Sequence, residues 1–178
     1  MTNDKLGDIV SVERTVLIVK LRPDTGTRPL LGDFVGIQLD GEKRMVGVVS
    51  GVVNRVKEEL LPYMDSEKIP KFLPYVEDYA ENLVVVTGLG TLDENGPDYN
   101  EAAPVSLKAA VEKLEDEDIL KFHNDGDSYG AGYLFRHREE ISPQVGLRIL
   151  DKLSKVMPGE AAENIKAARR FYEGGGFR

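Results

Sequence analysis

Four side chains in one short stretch have the atoms to hold a cation: His123, Asp125, Asp127 and His137. Imidazole nitrogens and carboxylate oxygens suit a transition metal, and a metal held there would activate water for a small metal-dependent hydrolase. The spacing is not that of a calcium loop. Tyr129 stands where a third ligand belongs, and Arg136 where a bidentate Glu belongs. The chain has no further histidine, and nothing in the spacing brings His123 and His137 together. A polar, glycine-rich surface loop is the simpler reading, so no metal and no cofactor are expected.

A second constellation is basic. Arg136 and Arg138 flank His137, and Arg148 and Lys152 follow four residues apart, on one face of a helix. Tyr129, Tyr133 and Phe135 stand beside the cluster. Cations interleaved with aromatic rings are what single-stranded nucleic acid needs, phosphates meeting charge and bases meeting rings. The competing reading is an ordinary charged helix surface. A third constellation is acidic, Glu115-Asp116-Glu117-Asp118, with a second dense stretch at Asp93–Glu101. Such a run reads either as a solvated face or as a docking patch for a basic partner.

Other chemistries are excluded or lack their motif. The chain of 178 residues has no Cys, which removes disulfides, thiolate zinc sites and a Cys nucleophile. No Gly-Lys dipeptide occurs, so there is no phosphate-binding loop, and no Gly-x-Ser-x-Gly elbow is present. The expectation is a protein that is not an enzyme by itself. The charge of −8 is unevenly spread: residues 1–56 carry a net +1, residues 57–120 a net −11, and residues 121–178 a net +2. No apolar run approaches the ~20 residues of a membrane helix, so a soluble, cytoplasmic protein without a membrane partner is expected.

The elements that would position these groups follow from periodicity. Residues 7–21 are rich in β-branched side chains and alternate on either side of Glu13-Arg14, as two strands around a tight turn do. Residues 32–39 read as a third strand. Asp40-Gly41 is a hairpin turn, and residues 45–53 are a long fourth strand in which Gly47 and Gly51 mark bulges. Residues 82–88 give the next strand. Between them, residues 57–81 read as a helical insertion punctuated by Pro62, Pro70 and Pro74. Ser106 with Leu107, Ala110, Val111 and Leu114 reads as a short capped helix, and Tyr133-Leu134-Phe135 as a short strand. Ser142-Pro143 is a helix start, followed by apolar stripes on either side of Pro158-Gly159 that predict a helical hairpin. The fold class is α+β: a small, antiparallel-rich, OB-like barrel domain over 1–120, a glycine-rich connector over 121–141, and a C-terminal helical hairpin with its tail over 142–178.

The strand sequences Gly7-Asp8-Ile9-Val10-Ser11-Val12, Leu31-Gly32-Asp33-Phe34-Val35-Gly36-Ile37 and Val46-Gly47-Val48-Val49-Ser50-Gly51-Val52 together resemble the HAS barrel. That barrel stands at the front of HerA-type DNA translocases and is related to the barrel of rotary ATP synthases. Val84–Gly90 resembles its return strand, and Asn95-Gly96-Pro97, Ala103-Pro104-Val105 and Glu117–Leu120 are similar to the exit segment before the motor core. The resemblance spans roughly residues 5–120. The 58 residues after position 120 cannot hold a RecA-like ATPase, so ATP hydrolysis does not carry over. What the resemblance implies is ring assembly, with a homo-oligomer left open, and docking of a protein partner such as a DNA-processing ATPase or nuclease.

Overall fold

The Val- and Ile-rich opening run folds as two antiparallel strands, β1 (Lys5–Glu13) and β2 (Val16–Leu21), joined at a turn where Arg14 takes φ +55°. In this computed structural model the described residues are 5–23, 25–26, 28–39, 41–56, 80–100, 104–124 and 129–174. Strand β3 (Phe34–Gln38) turns through Gly41, at φ +67°, into the long β4 (Arg44–Val56), which pairs along its length with β5 (Ala80–Asp93). The short β6 (Gly96–Asp98) folds back on β5, and β7 (Ala110–Lys113) fits between β1 and β3. Strands run in the order β2-β1-β7-β3-β4-β5, and β2 pairs with β5 to close the ring. This is a closed six-stranded antiparallel barrel with β6 as an extra strand. The bulges expected at the β4 glycines are present, as register shifts at Val46/Gly47 and Val49/Gly51. They bend a long strand around a narrow barrel.

Alternation then sorts the side chains. Leu6, Ile9, Leu17, Val19, Val35, Ile37, Met45, Val49, Val84, Val86 and Val111 fill the lumen. Phe34, Val46, Val48 and Leu89 point outward, yet are equally buried, because four helices cover that wall. These are α1 (Asp116–His123), the single turn α2 (Tyr133–Arg136), α3 (Pro143–Val156) and α4 (Gly159–Glu173). Ser142 caps α3 by accepting from the Val145 amide, with Pro143 in the first turn. The expected hairpin of α3 and α4 is present, and one apolar cluster joins it to the barrel wall. Asp33 staples the two layers. It accepts from Lys152 of α3 at 3.1 Å, from the Leu30 amide at 3.0 Å, and lies 3.2 Å from Lys113 of β7. Burial pushes the Asp33 carboxyl up, but the Leu30 amide and the two ammonium groups outweigh it and hold its pKa below the ordinary value.

Two expectations about elements are corrected. Residues 110–113 are the strand β7, not a helix: the Ala110–Val111 stripe has helical spacing, but the gap between β1 and β3 gives its backbone two ladders. Tyr133–Arg136 is a helical turn, not a strand, since Leu134 and His137 donate to carbonyls three and four residues back. Helix α1 was not read from the sequence at all. Of the insertion read over 57–81, residues 57–79 lie outside the described residues, while Ala80 and Glu81 belong to β5.

Candidate functional site

Where β4 begins, two hairpin tips and one helix enclose an open groove of about 660 Å³. The β3–β4 turn contributes Gln38, Glu42 and Arg44, the β5–β6 turn Asp93 and Glu94, and α1 contributes Asp118, Lys121 and Asn124. Both turns are held by side chains. Gln38 donates to the Gly41 and Lys43 carbonyls at 2.7 and 3.3 Å, and Asp93 accepts from the Asn95 amide at 2.7 Å. Arg44 crosses the groove to Asp118 at 3.2 Å. Glu42 and Glu94 stay exposed at the rim, so the carboxylates outnumber the two cations, Arg44 and Lys121.

The groove draws together the two acidic stretches read from the sequence. Of Glu115, Asp116, Glu117 and Asp118, only Asp118 lines it. The other three are exposed at the start of α1. Asp116, Glu117 and Asp118 form the first turn of that helix, where negative charge complements the unpaired amides of the N-terminus. Glu117 also pairs with Lys121 at 3.4 Å. Part of the acidic run therefore serves the helix, and part faces the groove. The structure adds Gln38, Glu42, Arg44 and Lys121, which reading the sequence missed. The signals for the first three were the Asp40-Gly41 and Asn95-Gly96 turn motifs; in the structure Gly41 and Gly96 line the same groove.

The two histidines offered for a metal have other partners. His123 is fully buried. Its Nδ1 donates to the Ile119 carbonyl at 2.7 Å, and its Nε2 accepts from the Tyr133 hydroxyl at 2.9 Å. With the Phe34 and Phe122 rings edge-on at 5.2 Å, neither nitrogen is left to ligate an ion. Burial lowers the His123 pKa to about 4 and raises that of Tyr133 well above its ordinary value. His137 lies 3.9 Å from Glu140, and burial lowers its pKa. Asp125 and Asp127 lie outside the described residues. Among the described residues no group of three His, Asp or Glu could hold a metal.

The basic constellation is divided by the fold. Lys152 is committed to Asp33, and its ammonium lies 5.9 Å from the centre of the Phe34 ring. Arg136 donates to the Tyr99 carbonyl at 2.7 Å and to Asn100 at 2.9 Å. Tyr133, offered as a stacking ring, is buried in the core, whereas Phe135 is exposed. Arg138 and Arg148 are the two of the four cations that are exposed with neither an ion pair nor a side-chain hydrogen bond among the described residues. Phe135 instead borders an apolar cavity of about 270 Å³ against Phe171 and Tyr172 of α4. No protein-family model matches the chain, and no curated protein matches its sequence. No helix among the described residues is long and apolar enough to cross a membrane.

Proposed function

We propose that this chain is a non-catalytic interaction and assembly module that docks a basic segment of a protein partner in the groove between Glu42, Glu94 and Asp118. One observation carries the reading. Acidic residues far apart in sequence, Glu42, Asp93–Glu94 and Asp118, meet around one cavity. Two hairpin turns and a helix hold them there, so the site is organised before a partner arrives. The closed barrel supports a resemblance to the barrel of HerA-type DNA-processing ATPases, and the partner class that follows is such an ATPase or nuclease. Carboxylates at the rim steer a cationic partner and raise its association rate, an effect that fades once salt shortens the screening length to about 8 Å.

The test is a nuclear magnetic resonance titration of the full chain with a short oligolysine peptide. Amide shifts confined to residues 38–44, 92–96 and 118–124 support the reading, with association slowed several-fold in Glu42→Gln/Glu94→Gln. Shifts elsewhere, or an unchanged association rate in that variant, overturn it.

A further inference from the structure

At the far end of β4 the ring of strands comes apart. Strand β3 covers β4 only as far as Val48, with Gly32 and Asp33 continuing the contact to Val49. From Gly51 to Val56 the strand pairs with β5 on one side, and no strand pairs with its other side among the described residues. This overhang has few of the devices that keep edges apart. It contains no Pro and no Lys. Val52 is 50% exposed and Val53 39%. Its single charge, Arg55, is tied across the hairpin to Glu81 at 3.2 Å, and Glu81 also accepts from Lys20. Other open edges among the described residues are shorter: residues 10–13 of β1 end on the charged Glu13, and β6 carries Pro97.

The backbone shows which groups are on offer. Val49 turns both its amide and its carbonyl away from β5, toward Asp33 and Gly32. Beyond the bulge the register pairs Gly51 with Val85, Val52 with Val84 and Asn54 with Asn82. Antiparallel strands alternate between facing a neighbour and facing away. Continued across the bulge, the alternation leaves the N–H and C=O groups of Val52, Asn54 and Val56 pointing to the open side.

We propose that this edge is a self-association surface, on which a second copy of the chain pairs β4 against β4 about a twofold axis at Asn54. Residues 52–56 are compatible with themselves in that register. Val52 faces Val56, Asn54 faces Asn54, and Arg55 faces Val53, so no like charges stand opposite each other. Charge favours this edge over the groove as the meeting point of two copies. The overhang belongs to the part of the chain with a net charge of +1, and the acidic groove lies at the other end of β4. The product is one continuous sheet through β1-β2-β5-β4 of both copies.

The full chain is examined by sedimentation over a concentration series, beside Asn54→Pro and Val52→Lys. Proline at 54 deletes an amide that faces the open side, leaving the β5 ladder in place, and lysine at 52 places a charge on the edge. The expected result is a wild-type dimer that dissociates on dilution, and at least a tenfold weaker dimer in each variant, with circular dichroism of the folded chain. Should one variant fail to fold, the other decides. Raising ionic strength to physiological values leaves the dimer unweakened, the opposite of oligolysine binding at the groove. A wild-type chain that is monomeric at every concentration, a dimer untouched by both variants, or a dimer lost on Glu42→Gln/Glu94→Gln overturns the proposal.

Discussion

The two halves of β4 are both valine-rich and lie in opposite surroundings. Met45-Val46-Gly47-Val48-Val49 is buried on both faces and flanked by strands on both sides. Val52-Val53-Asn54-Arg55 is exposed, Val56 is half-buried, and the stretch has one strand neighbour among the described residues. Valine-rich alternation makes both halves extended, but it does not say whether a face is covered. Coverage comes from elsewhere: Asp33 and β3 on one side of the first half, α1 and α3 over its outer face. The comparison separates what makes a strand from what makes a core. It also assigns the two ends different business, a charged groove where the strand begins and a neutral edge where it ends.

Breaking the covered half costs the most. Phe34 is wholly buried between the barrel wall and the helices, with His123 edge-on at 5.2 Å and Lys152 near its ring. Phe34→Ala removes the ring that joins the two layers, and a cost of about 3–5 kcal/mol follows from lost transfer energy plus the cavity left behind. Urea unfolding monitored by circular dichroism checks it. A loss below about 1 kcal/mol would show that the helices do not depend on this wall.

Acid sharpens the same contrast. Burial holds the fold's His123 at a pKa of about 4, against the ordinary 6.5, with only the Ile119 carbonyl favouring the proton. Between these values the unfolded chain takes up a proton that the folded chain refuses. Stability from this group is therefore full above pH 6.5, falls as the pH drops through that window, and is lower by about 3 kcal/mol at pH 4. His137, also lowered by burial, works in the same direction. Unfolding midpoints measured from pH 7 to pH 4 should fall steeply in the wild type and less steeply in His123→Gln. Equal slopes would remove His123 from the account.

Much of this was legible. Alternation located β1 to β5, and the glycines located both bulges of β4, because strand pattern and turn chemistry are local. Ser142-Pro143 and Pro158-Gly159 bounded the hairpin for the same reason. Strand β7 was misread because the same four residues suit either period, and only the vacancy between β1 and β3 decides. Helix α1 was missed because Asp116-Glu117-Asp118 looked like surface charge, when acidic residues ahead of Ile119 and Phe122 are also a helix start. The groove was half legible: its acidic stretches were seen, but their convergence on Glu42 and Arg44 is tertiary. Lys152 and Arg136 looked available because their partners, Asp33 and the Tyr99 carbonyl, lie 119 and 37 residues away.

One substitution in each half tests the contrast most directly. Val48 is fully buried beneath the helices, whereas Val52 is half exposed on the overhang. Val48→Ala leaves a void that close-packed neighbours fill only partly, a cost of about 1–3 kcal/mol. Val52→Ala removes methyl groups that already touch water, and the change should stay within about 0.5 kcal/mol. Both replace the same side chain in the same strand, so differences in intrinsic strand preference cancel between them. Measured by urea unfolding at a dilution where the chain is monomeric, the pair isolates coverage from propensity. If Val52→Ala costs as much as Val48→Ala, the overhang is covered in solution, and the edge is not open to a second copy.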